Sequence, residues 1–200
     1  MPWRAKISTY LGADRARTTL PAVSQTENDF DALVALLTSQ SESWQIVFWI
    51  ELPLRNKIHQ GLTRHFGNQW WANDDFKRLV GPRLAAEAMQ SKWARDPQRA
   101  FLDDLSMGFW VRCLSPSLEK RLWIPILSQS FTPGVSRKKL HNQLLAFKKY
   151  RKAIAHHEHR SGQQLEHMKQ LALEIAACID SDLPELLKYV LSRATSPRGR

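Results

Sequence analysis

Apolar residues along this chain recur at intervals of three and four, in segments longer than strands usually are, so the sequence predicts an all-α protein. Phe30, Leu33, Val34 and Leu37 follow the polar run 25–29 and mark the buried face of a helix over about 29–39. A second helix is expected from Ser43, with Ile46, Trp49, Ile50, Leu54, Ile58 and Leu62 on its inner side and a stop at Gly67. Pro53 falls inside it and should kink or split it. Upstream, 7–11 reads as a short helix and Pro21 as a turn.

Beyond Trp70 and Trp71, residues 74–95 read as a third helix interrupted at Gly81-Pro82, and Asp96-Pro97 ends it. A fourth helix is expected over about 98–113 and a fifth over about 117–130, kinked at Pro125. Thr132-Pro133-Gly134 is a turn signal, and a basic helix begins near Ser136. Two further helices, 162–179 and 182–193, complete the pattern, the last with Asp182 as N-cap and Pro184 in its first turn. Trp44, Trp49, Trp110 and Trp123 fall in helical segments and read as core. Trp70 and Trp71 read as core ahead of a base-stacking pair in a loop.

At 200 residues the chain suits one domain, a helical bundle over 1–193 with a disordered basic tail at 194–200. Its 43% apolar and 24% charged residues are ordinary for a globular fold. The net charge of +10 is less ordinary and points to an anionic partner, with nucleic acid preferred to membrane. No apolar run approaches the roughly 20 residues that span a bilayer, and a cytoplasmic location is expected. Cys113 and Cys178 form no CxxC pair, so both read as buried thiols of a reducing compartment.

The charge is concentrated. Residues 136–160 hold eight lysines or arginines and four histidines against one acid, Glu158. Within this run Arg151 shares a helical stripe with Leu140, Leu144, Phe147 and Ile154, which aims a guanidinium at an apolar seam. Such a charge needs a carboxylate or an anion-binding cleft, and Glu51 is the first candidate partner. Five residues on, His156 can exchange a proton near neutral pH. Arginine and histidine together suffice to cut RNA without a metal. On a regular helix the two diverge by about 140°, so either the helix ends near Ala155 or the site is assembled between two subunits. Imidazoles at His156, His157 and His159 with Glu158 would also suit zinc, but adjacent helical positions diverge by about 100° and no second cluster supplies ligands, so no metal is expected. Arg55 and His59, four apart, form a rival pair with better local geometry but without basic surroundings, and read as structural.

The run Arg151-Lys152-Ala153-Ile154-Ala155-His156 resembles the signature of the HEPN superfamily, and Ala155-His156-His157-Glu158 with Arg160 resembles its Abi-like, abortive-infection branch. Four further segments are similar to that branch, in its order: Ile7-Ser8-Thr9-Tyr10-Leu11, Glu51-x-x-Leu54-Arg55-Asn56, Gly67-Asn68-Gln69-Trp70 and Ser106-Met107-Gly108-Phe109-Trp110-Val111. Pro53 and Lys152 depart from the family's usual residues, a helix former and an asparagine.

The resemblance implies a HEPN-type bundle that forms a homodimer, needs no cofactor and cleaves RNA as a toxin in phage defence or a toxin–antitoxin system. In that scheme the ribose 2′-hydroxyl attacks the adjacent phosphate, His156 is general base or acid, and Arg151 grips the phosphate. Lys152, His157 and Glu158 would support the site, Lys148 and Lys149 would follow the RNA backbone, and Glu51, Arg55 and Asn56 would contribute from the second helix. The alternative is a non-catalytic RNA-binding module, held by an antitoxin RNA or protein, that uses the same basic patch.

Overall fold

The computed structural model describes residues 3–11, 16–17, 26–89, 105–156 and 162–195, and every element among them is helical. In chain order these are α1 (Trp3–Leu11), α2 (Thr26–Phe66), α3 (Asp74–Val80), α4 (Pro82–Met89) and α5 (Met107–Cys113). A π-helix follows (Glu119–Leu127), flanked by 3₁₀ turns at Pro116–Leu118 and Ser128–Ser130. The last helices are α6 (Arg137–Ala155), α7 (Gly162–Ile179) and α8 (Leu183–Thr195). The expected turn at Pro21, the break at Asp96-Pro97, and His157, Glu158, His159 and Arg160 lie outside the described residues.

The organising element is α2, one 41-residue helix where the sequence predicted two. The polar run Ser39-Gln40-Ser41-Glu42-Ser43 imitates a break, but its two buried members, Glu42 and Ser43, have partners within the helical path. Ser43 Oγ donates to the Ser39 carbonyl at 2.8 Å, and Lys169 Nζ on α7 meets Glu42 Oε1 at 2.7 Å. Pro53 does not split the helix either. It removes one N–H, while Leu54 and Ile58 just beyond it are fully buried and hold the path of the chain.

Ile46, Ile50, Leu54, Ile58 and Leu62 are all inaccessible to solvent. A four-residue repeat advances about 40° per step around an α-helix, so this ridge winds around α2. It therefore needs neighbours on several sides, and α5, α6, α7, α8 and the π-helix supply them. The N-terminal half of α2 differs. Phe30, Val34 and Leu37, expected to be buried, are 40%, 61% and 57% exposed. Their periodicity is helical, but the fold leaves all three largely accessible.

Gly67 ends α2 with φ of 87°, its N–H bonded to the Thr63 carbonyl, as its place in the sequence foretold. Asn73 caps α3 by accepting from the Asp75 and Phe76 amides, and Gly81 with φ of 82° separates α3 from α4. Trp70 and Trp71, in the turn between α2 and α3, are buried and therefore core. Trp70 meets Phe76, Phe109 and Trp110 in ring contacts, which ties that turn to α3 and α5. Trp44 is the tryptophan that departs from its predicted core position, at 39% exposed.

The kinked helix expected near Pro125 is a π-helix, closed by a Ser128 N–H bond to the Trp123 carbonyl five residues back. Ala194 and Thr195, assigned from sequence to a disordered tail, continue α8. Cys113 is buried as expected, and burial pushes its thiol pKa far up; Cys178 is half-buried and shifted the same way by the same cause.

Candidate anion-binding site on the basic helix α6

Ser136 caps α6 by accepting from the Lys139 amide at 3.3 Å, and Leu140, Leu144, Phe147 and Ile154 form its buried stripe. Two cations in the first turn of the helix have carboxylate partners. Arg137 is buried, donates to the Leu114 carbonyl at 2.8 Å and pairs with Glu119 at 3.1 Å, while Lys139 lies 3.8 Å from Glu174. Sequence counting could not separate these structural cations from available ones. Lys148, Lys149 and Lys152 are exposed and, among the described residues, make no ion pair. Apart from Lys138 in the first turn, the available charge lies in the last two turns of α6, where the helix dipole also favours cations.

Arg151 emerges between these lysines. Its Nε lies 3.6 Å from Glu51 Oε2 on α2, the partner that the sequence suggested. Both side chains are partly accessible, so the pair is a screened contact and not a core ion pair; Glu51 also lines a cleft. The cleft has a volume of about 330 Å³ and runs between α2 and the start of α5. Trp44, Val47, Phe48, Leu52, Leu105 and Trp110 give it apolar walls, and Glu51 and Arg55 give it a charged edge.

The residues of the second-helix motif separate. Glu51 and Arg55 face this cleft, whereas Asn56 lies in a different groove with Pro53, Lys57, Ile179, Asp180 and Leu183. That follows from helix geometry, since adjacent residues point about 100° apart. His59 is half-buried at a third groove, shared with Lys57, Gln60 and Arg64, and its Nδ1 accepts the Trp70 indole N–H at 3.0 Å. Burial, and secondarily Arg55, hold its pKa below the usual 6.5. The pair Arg55 and His59 is thus divided between a cleft edge and a structural hydrogen bond.

His156 is the C-cap of α6, exposed, with φ −94° and ψ 10°. Its N–H still bonds the Lys152 carbonyl at 3.1 Å, so the helical path holds up to His156. The helix does end at Ala155, as one of the two sequence options required, but too late to turn His156 toward Arg151. Within one chain their side chains leave the helix about 140° apart. Sequence reasoning overlooked Arg112, whose guanidinium pairs with Glu87 of α4; nothing in its local spacing flags it.

Among the described residues no three His, Cys, Asp or Glu side chains are grouped to hold a metal, and no helix is long and apolar enough to cross a membrane. Comparison of the chain with protein-family models, curated proteins and solved structures finds no match.

Proposed function

We propose that this chain is an RNA-directed protein of the Abi-like HEPN type, a metal-independent endoribonuclease acting as a cytoplasmic toxin of a phage-defence or toxin–antitoxin system. The observation that carries the reading is Arg151: a partly exposed guanidinium beside Glu51, flanked by Lys148, Lys149 and Lys152 with no carboxylate paired to them among the described residues. A polyanionic strand fits that surface, because phosphates neutralise closely spaced cations and release condensed counterions.

In this reading Arg151 holds the scissile phosphate and stabilises the charge that develops on its oxygens. An imidazole from His156 takes the proton of the ribose 2′-hydroxyl or returns one to the leaving 5′-oxygen, leaving a 2′,3′-cyclic phosphate and a 5′-hydroxyl. Because Arg151 and His156 diverge within one chain, the centre pairs Arg151 of one copy with His156 of another in a homodimer. An antitoxin would act by covering this surface. RNA incubated with the protein in excess EDTA should acquire cyclic-phosphate ends with wild type and not with His156→Ala. Cleavage that persists in the variant removes His156 from the mechanism, and a fully active monomer removes the shared centre.

The same divergence favours a second reading, an RNA-binding module without catalysis. It predicts RNA affinity that falls steeply with salt and no cleavage under any condition.

A further inference from the structure

Two buried indoles touch in the core of this fold, and their polar ends are treated differently. Trp70 and Trp110 stand in ring contact, with 6.3 Å between centroids. Trp70 gives its N–H to His59 Nδ1 at 3.0 Å. Trp110 is 1% exposed, and its Nε1 has no hydrogen-bond partner among the described residues. A buried donor left without an acceptor is costly, so each exception calls for an explanation. A phenyl ring, as at the neighbouring Phe109, would fill space without that cost.

Trp110 also forms part of the wall of the 330 Å³ cleft between α2 and α5. Trp44 and Phe48, one turn apart on α2, are 39% and 54% exposed and bring two further rings to it. Glu51 and Arg55 add an acceptor and a donor at its edge. The cleft is therefore mainly apolar and aromatic with a few polar groups, and its volume lies near the lower end of the range for small-molecule pockets. An apolar ring would suit these walls but leave the indole unpaired. A flat ring that carries acceptor atoms suits both.

We propose that this cleft takes a nucleobase, its ring against Trp44 and Phe48 and one of its carbonyl or ring-nitrogen acceptors on the Trp110 N–H. Unpaired bases are held in this way, by aromatic stacking with hydrogen bonds along one edge. Occupation by a base does not depend on the RNA reading. Its source does: Glu51 lines the cleft and lies 3.6 Å from Arg151, so on that reading the base belongs to the nucleotide next to the phosphate that Arg151 grips.

Adenosine, guanosine, cytidine and uridine, titrated one at a time into the full chain, are the first probes, read through the Trp110 indole N–H in ¹⁵N spectra. At least one nucleoside should bind saturably and move that signal downfield. Trp110→Phe keeps an aromatic wall and deletes the donor, so affinity should fall about tenfold by calorimetry. A variant that loses thermal stability yet binds the nucleoside as wild type does would make Trp110 a core residue only and overturn the proposal. Phe48→Ala, at a half-exposed position, keeps the fold and should weaken binding by about tenfold. Toluene is the apolar control. Toluene that binds as tightly as every nucleoside, or nucleosides that do not saturate, overturn the site. A short single-stranded RNA then identifies the source: it should move the same indole signal and be displaced by the nucleoside. If RNA binds but leaves that signal in place, the cleft stands as a site for a free nucleoside or nucleotide and the strand assignment is overturned. If RNA does not bind wild type at all, the nucleoside site stands and the RNA reading fails on its own.

Discussion

Arg151 Nε and Glu51 Oε2, a hundred positions apart in the chain, stand 3.6 Å from each other, and Glu51 also lines the α2–α5 cleft. Glu51 both orients the guanidinium and competes with any phosphate for it. Replacing Glu51 by Gln keeps the shape and removes the competitor. RNA affinity, read by fluorescence anisotropy, should rise severalfold, while stability to urea changes by less than about 1 kcal/mol because the pair is partly solvated. Unchanged or weaker RNA binding in this variant would separate Arg151 from the anion surface.

The bond from Trp70 Nε1 to His59 Nδ1 gives the fold a pH dependence. Burial, then Arg55, hold the His59 pKa below 6.5, so the folded chain takes up this proton less readily than the unfolded one. Its contribution is complete above about pH 6.5 and is lost as the pH falls through the lowered value. The urea midpoint should therefore drop between roughly pH 7.5 and 5, and His59→Gln should flatten the slope. His141, lowered by burial and by Arg137, acts in the same direction, so the flattening should be partial.

Trp70 joins the turn after α2 to Phe76 of α3 and to Phe109 and Trp110 of α5. Trp70→Ala should cost about 3–5 kcal/mol by calorimetry and diminish the near-ultraviolet circular dichroism, because it leaves a cavity where three elements meet. A loss below about 1 kcal/mol would contradict its place in the core.

The two halves of α2 should respond differently to substitution. Leu54→Ala, at a fully buried position, should cost about 2–5 kcal/mol, whereas Val34→Ser, on the exposed half, should stay within about 0.5 kcal/mol in the monomer. If Val34→Ser were as damaging as Leu54→Ala, a partner or a further part of the chain would have to cover that face.

Much of this architecture is local in origin and could be read from the residues alone. The all-helical class follows from the spacing of apolar positions, the start of α6 from Ser136, the end of α2 from Gly67, and the pairing of Glu51 with Arg151 from the cost of leaving a guanidinium on an apolar stripe uncompensated. Each rests on interactions within a turn or two, or on a charge that must be matched. Tertiary packing decided the rest. It fused two predicted helices through Ser39–Ser43 by giving Glu42 a lysine on α7, and it left Phe30, Val34 and Leu37 exposed although their period is that of a buried face. It consumed Arg137 inside the protein while leaving Lys148 available, and it brought Arg112 and Ser106 to Lys148 over Gly108. Periodicity states which side of a helix is apolar; only the other helices determine whether that side is covered, and which charges meet there.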